Sequence, residues 1–236
     1  MTTRKTDLLA TKLHRPRLGK DHLLRQRLLD RLEENLHRPL TLISAPAGYG
    51  KTTLLSAWLE SCDYSSGWVS LDENDNDLRQ FLSYFLAAVQ KQFPDSCHKT
   101  KALLDASKLP PLPILTHGLV NELDKIDSTL FILVIDDYHT INDKAIHDFI
   151  AGLLQHAPGP LYLVLSTRLD PSLPLASLRA RGRMTEFRIT AIHRRGDLRT
   201  QNAGQPLVFR QQTDRRSPPL RSGSRRYHYR GTTGCK

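Results

Sequence analysis

One nonapeptide constrains this chain more than any other feature. Ala45, Pro46, Ala47, Gly48, Tyr49, Gly50, Lys51, Thr52 and Thr53 run straight out of a short apolar stretch, LTLISA at 40–45, and into LLSAWLE at 54–60. The segment matches G-x-x-x-x-G-K-[ST] except for alanine at its first position. Two glycines let the backbone curl so that successive N–H groups point inward, a geometry that suits phosphate oxygens. A lysine next to them can reach the β and γ phosphates, and the Thr52 hydroxyl can ligate magnesium. The plain alternative is a glycine-bearing turn carrying a chance GKT. The expected strand before it and helix after it are the context in which the motif holds its phosphate function, so the segment is read as a loop for ATP or ADP with Mg2+.

The rest of the chain alternates in the same way. Leu24, Leu28, Leu32 and Leu36 fall four apart in 21–36, with Asp21 placed to cap a helix that Pro39 ends. GWVSL at 67–71 reads as a strand. Leu78, Phe81, Leu82, Phe85, Leu86 and Val89 have helical spacing. The proline-bearing stretch 94–113 reads as irregular, with a weaker helix from Ile114 to about Ile126. LFILVI at 130–135 and LYLVLS at 161–166 are nearly all apolar, as strands buried on both faces of a parallel sheet should be. Between them lies a helix with Asn142 or Asp143 as its cap. The expectation is an α/β fold of the P-loop NTPase kind, a mostly parallel sheet flanked by helices. Ligands of such sheets bind beyond the carboxyl ends of the strands.

A second group of candidates sits at such an end. FILVIDDYH, 131–139, closes an apolar strand with two carboxylates that are costly to hold there unless something satisfies them. A hydrated magnesium ion would, with Asp136 as the carboxylate on the metal side. Asp137 is placed either to orient the attacking water or to fix its own loop by a hydrogen bond. His139 fits equally the γ-phosphate region and a packed or surface position. Arg168, just past LYLVLS, either reaches a γ-phosphate or pairs with Asp170. Arg179, Arg181 and Arg183 read by default as a solvated face. Asp72, Asp75 and Asp77 with Asn74 and Asn76 lack the glycine and distant glutamate of a calcium loop, and read as helix caps.

Charge excludes a nucleic-acid footprint spread over the fold. The net charge is +10, but residues 191–236 carry eleven Arg or Lys against two Asp, which leaves a surplus of one over 1–190. Cys62, Cys97 and Cys235 have no paired or zinc-type spacing and read as ordinary thiols in the cytoplasm. No stretch is long and apolar enough for a membrane span, and the basic N-terminus is not a secretory signal.

Six blocks taken in order, TKLHRPRL (11–18), LLRQRLLDRL (23–32), LTLISAPAGYGKTTLLSAWL (40–59), WVSLDENDNDLRQFLSYFLAAV (68–89), FILVIDDYHTI (131–141) and STRLDPSLPLASLRARGRMTEFR (166–188), resemble the N-terminal ATPase region of MalT-like, LuxR-type ATP-dependent transcriptional activators. These are signal-transducing ATPases with numerous domains and an AAA-like core. The resemblance implies an ADP-bound resting state, an ATP-bound state able to self-associate, and slow hydrolysis between them. By motif, Gly48, Gly50, Lys51 and Thr52 correspond to Walker A, Asp136 and Asp137 to Walker B, and Arg168 to a first sensor. Arg25 falls in the segment that lines the base side of the nucleotide.

The likeness stops at Arg188. The text beyond it has neither helical periodicity nor acid–base balance, so the expected organisation is an N-terminal arm (1–20), an ATPase core (21–188) and a basic, disordered tail (189–236). A truncated or frame-shifted product is one expectation for that tail, and a genuine basic extension is the other. Promoter recognition, which in the family belongs to a C-terminal helix-turn-helix, is not expected of this chain. Besides a nucleotide switch with weak hydrolysis, two readings stay open: a nucleic-acid-binding module acting through the tail, and a non-functional remnant. A metabolic kinase is a weaker possibility, without a substrate-side constellation to support it.

Overall fold

The apolar runs form the inner strands of a five-stranded sheet in the computed structural model, which describes residues 8–19 and 24–188. In chain order, α1 spans Gln26–Glu33, β1 Leu40–Ser44, α2 Lys51–Ser61, β2 Ser65–Ser70, α3 Leu78–Gln92, α4 His98–Asp105 and α5 Leu112–Leu123. Then come β3 Phe131–Asp136, α6 Lys144–Gln155, β4 Leu161–Thr167, α7 Leu175–Ala180 and β5 Met184–Arg188. Three short 3-10 turns, Ala10–Leu13, Glu73–Asp75 and Tyr138–Thr140, complete the described elements. The strands lie in the order β2-β3-β4-β1-β5, and every pairing is parallel. β4 therefore separates β1 from β3.

Both faces of the sheet are covered, which is why β1, β3 and β4 are buried along their whole length. Alternate residues serve opposite layers. Leu40, Leu42, Leu133, Ile135, Leu163 and Leu165 pack with α3, α5 and α6, where Phe81, Phe85 and Phe149 meet edge to face. Ile43, Ile132, Val134 and Val164 pack with α1 and α2 around Trp58 and Tyr162. On that second face Thr41 and Tyr162 share a buried hydrogen bond of 2.6 Å.

Each edge of the sheet is closed by side chains from elsewhere in sequence. Beside β2, the Ala10–Leu13 turn sends Lys12 Nζ to within 2.7 Å of both Asp72 and the fully buried Asp75. Tyr84 Oη accepts from the Leu9 amide at 3.1 Å. Along β5, Arg38 donates to the Met184 carbonyl at 3.0 Å and Arg31 to the Glu186 carbonyl at 3.1 Å. Arg31 also lies over the Phe187 ring. Free carbonyls on an edge strand invite another chain to pair, and these arginines occupy two of them.

Four helical starts are supplied with carboxylates. Asp72, Asp77 and Asp143 cap the Glu73–Asp75 turn, α3 and α6. Capping is thus the role the structure gives the acidic run at 72–77. Glu122 reaches from α5 to the first amides of α4, accepting from Lys99 and Thr100 at 2.9 Å each. The start of α2 has no side-chain cap.

Several expectations need correction. The stretch 94–113 contains α4, where irregular chain was expected. Only Thr100 and Leu104 are buried in it, too few for a period, and its cap is a glutamate more than twenty residues away. α5 begins at Leu112, with Pro113 in the first turn, where a missing N–H costs nothing. α1 is shorter than 21–36: past Glu33 the chain goes on in tight turns to Arg38. Asp21 lies outside the described residues, as do 189–236. α7 and β5 complete the sheet on the far side of β1, although no pattern in the sequence had marked them as elements.

Candidate nucleotide site

The carboxyl ends of β1, β3 and β4 bring the candidate residues together. Leaving β1, the loop turns through Gly48 (φ 81°) and Gly50 (φ 72°), both in the left-handed region that glycine adopts at little cost. Pro46, Ala47, Gly48 and Thr53 are exposed, whereas Ala45 is buried. Arg25, just ahead of α1, donates from Nη1 to the Tyr49 carbonyl at 3.0 Å, and its guanidinium lies against Gly50. A segment twenty-four residues upstream thus braces the loop.

Lys51 opens α2 and is 7% exposed. Its Nζ folds back over the loop, donating to the carbonyls of Ala45 at 2.8 Å and Pro46 at 3.1 Å. Burial draws its pKa below the ordinary lysine value; Asp136 and Asp137 oppose that shift and Arg168 reinforces it. Next to it, Thr52 donates from Oγ1 to Asp136 Oδ2 at 2.8 Å. The other Asp136 oxygen accepts from the Asp137 amide at 3.0 Å, so a carboxylate only 3% exposed has a partner on each oxygen.

This hydroxyl–carboxylate pair fits magnesium. Both are hard oxygen donors, and Mg2+ usually takes only one or two protein ligands and keeps waters on its other positions. Among the described residues no group of three or more His, Cys, Asp or Glu is arranged to hold a metal. Cys62 and Cys97 are free thiols, and burial pushes the Cys97 pKa up to about 11. Cys235 lies outside the described residues.

Around this centre stand Asp137, His139 and Arg168. Asp137 adopts φ 55°, an uncommon conformation for which aspartate is better suited than most residues. Its Oδ1 lies 3.7 Å from His139 Nδ1 and 4.0 Å from Arg168 Nη2. Burial lowers the His139 pKa, Arg168 lowers it further and Asp137 opposes. The alternative pairing of Arg168 with Asp170 does not form. Asp170 is bonded by Arg188, through Nη2–Oδ2 at 3.1 Å and a second, shorter contact, and Ser44 Oγ stands 3.4 Å away. Sequence reasoning missed Arg188, because only the register of β5 beside β1 carries it to this end of the sheet.

The other arginines lie on the surface. Arg179 pairs with Glu186, Arg183 donates to the Gln155 carbonyl at 3.1 Å, and Arg181 is exposed at the end of α7.

A parallel sheet in this order, a glycine-bearing loop between β1 and α2, and a carboxylate closing β3 against the first turn of α2 define a P-loop NTPase fold with an AAA-like core. Comparison with known proteins names a particular relative of this chain. Over 181 residues it is 42% identical to the HTH-type transcriptional regulator MalT of Yersinia pestis (strain Pestoides F), and 41% identical to MalT of Yersinia enterocolitica. The similarity covers 76% of this chain and 20% of each relative, so the chain spans about a fifth of their length. No family model matches. Among solved structures, Caenorhabditis elegans PCH-2 is 15% identical, with a TM-score of 0.38 over 72% of this chain and 44% of its own. Drosophila ORC bound to DNA is 14% identical, with a TM-score of 0.43 over 80% and 51%.

Proposed function

We propose that residues 21–188 form an ATPase core that binds ATP or ADP with Mg2+ and works as a nucleotide switch, with weak hydrolysis returning it to the ADP state. The observation that supports this most is the Thr52–Asp136 hydrogen bond beside Lys51. It joins the first turn after the loop to the end of β3, where one triphosphate and its metal would need both.

In this reading the amides of 45–53 and the Lys51 amine hold the phosphates, helped by the amino end of α2. Arg25 braces the loop beside the base. Thr52 and Asp136 would ligate Mg2+, which supplies charge neutralisation at the β and γ oxygens. Asp137 orients the water, and Arg168 turns from Asp137 to the γ-phosphate. The similarity to a transcriptional regulator favours a regulatory role over a metabolic kinase, with self-association in the ATP state, and a cytoplasmic setting. Among the described residues no helix is long and apolar enough to cross a membrane. No DNA recognition is assigned to residues 8–188.

Calorimetric titration of ATP and ADP into the wild type and Lys51→Ala tests the reading. Loss of a charge-assisted contact to phosphate should weaken ATP by about ten- to a hundredfold. Equal affinities in the two proteins would sink it. A second reading is kept because of the basic surplus in 191–236. If nucleic-acid retention disappears when 191–236 are deleted while ATP binding stays, the tail has a separate activity.

A further inference from the structure

Two cationic or donor groups converge on one oxygen of Asp137, and neither reaches it at full hydrogen-bond distance. Arg168 Nη2 stands 4.0 Å from Oδ1 and His139 Nδ1 stands 3.7 Å from it. Among the described residues that buried His139 nitrogen has no hydrogen-bond partner, an uncommon and costly state for a ring nitrogen. Closing to a normal N–H···O length would take a shift of about 0.7 Å.

The surroundings decide which group stays and which moves. Asp137 caps the Tyr138–Thr140 turn, and its carbonyl accepts from the Thr140 amide at 3.1 Å and the Thr140 hydroxyl at 3.0 Å. Tyr138 is wholly buried and its hydroxyl meets His147 Nδ1 at 2.9 Å, which anchors the same turn in the core. The backbone of this turn is therefore anchored, and the His139 side chain it carries is only 16% exposed. Arg168 is the long, half-exposed member of the trio. If it turns to another anion, His139 Nδ1 remains the candidate partner for Asp137 Oδ1 among the described residues.

We propose that His139 is a positioning residue that receives the Asp137 carboxylate through an Nδ1–H···Oδ1 hydrogen bond when Arg168 leaves it for a bound triphosphate. The inference rests on the nucleotide-switch reading for the event that moves Arg168. The hand-over itself depends only on the three side chains. It gives the unpartnered nitrogen a function, and it keeps Asp137 aimed while its neighbouring cation is engaged elsewhere.

Nitrogen-15 spectra of the histidine rings, with His139 assigned from a His139→Gln sample, test the hand-over directly. The full chain would be compared with ADP and Mg2+, with a non-hydrolysable ATP analogue and Mg2+, and without nucleotide as wild type and Arg168→Ala. The expected result is a hydrogen-bonded Nδ1–H with the triphosphate analogue and in nucleotide-free Arg168→Ala, and its absence with ADP. A wild-type-like ring in Arg168→Ala overturns the proposal, whatever the nucleotide arms give. Identical ring spectra with ADP and the analogue, while calorimetry shows both bound, also overturn it and leave the switch reading standing. Failure of either nucleotide to bind sinks the switch reading, and the Arg168→Ala arm still decides whether His139 can take the carboxylate. As a check on position rather than bulk, His139→Asn, whose amide nitrogen can stand where Nδ1 does, should retain the wild-type ratio of ATP to ADP affinity. His139→Ala should lower that ratio severalfold at an unchanged melting temperature.

Discussion

The Thr52 hydroxyl donates to the Asp136 carboxylate at 2.8 Å across 84 residues of sequence, with β4 lying between the strands that lead to each. Helix α2 and strand β3 are thereby joined at the one point where a metal would need both. The bond holds the two oxygens close enough that both could serve one cation, the Thr52 hydroxyl through a lone pair and with its proton retained.

Asp136→Asn tests that point. Asparagine can still accept from Thr52, so the fold should persist, but the charge for Mg2+ is lost. Wild-type affinity for ATP should fall when EDTA replaces Mg2+, while the variant should bind equally in both. A variant that keeps the full magnesium dependence rules Asp136 out as the metal-side carboxylate.

Gly50→Ala should separate loop shape from charge. Its φ of 72° costs an alanine about 1–2 kcal/mol. The new Cβ meets nothing closer than the Arg25 guanidinium at 3.7 Å, so backbone strain is the main cost. Urea unfolding should register that loss, with weaker nucleotide binding beside it. Unchanged stability would mean that the loop relaxes to another shape.

A buried pair far from the loop offers a test of the sheet. Burial pushes the Tyr162 pKa up to about 12, so its hydroxyl stays neutral and bonded to Thr41. Tyr162→Phe leaves a buried threonine oxygen without its partner and should cost about 1–3 kcal/mol. In a double-mutant cycle with Thr41→Val, the pair should cost less than the sum of the single changes. Strict additivity would show that the bond contributes nothing.

Acid stability should carry the mark of Asp170. Its hydrogen bonds to Arg188 hold the carboxyl below its usual 3.8; burial opposes and Ser44 assists. A depressed folded-state pKa stabilises the fold above 3.8, and that contribution is lost as pH falls through the lower folded value. Wild-type stability should therefore drop more steeply than that of Asp170→Asn below about pH 4. The side chain is half exposed, so the difference should be modest. Parallel pH curves would remove the pair from the account.

The elements legible in the sequence were those whose signal is local. LFILVI and LYLVLS announce buried strands by composition, and Leu78 to Val89 announce a helix by period. Gly48, Gly50, Lys51 and Thr52 stand in one contiguous motif, and Asp136 closes an apolar run, so both halves of the candidate site could be named before their contact was seen. β5 could not, because MTEFR is short, and what makes it a strand is its place beside β1 and Arg31 and Arg38 at its edge. α4 was hidden because Glu122 caps it from another helix. Of the two alternatives for Arg168, the pairing with Asp170 fails for a similar reason: Asp170 is near in sequence, but β5 delivers Arg188 to it.

Four helical starts in this molecule already hold a carboxylate, from Asp72, Asp77, Asp143 or Glu122, and α2 does not. Those four ends carry an internal competitor that any visiting anion would have to displace, whereas among the described residues no side chain caps the amides that open α2. A polyphosphate settling there would also serve as the cap that the helix lacks. Tight occupancy and resistance to unfolding should then rise together, because a single interaction would supply both.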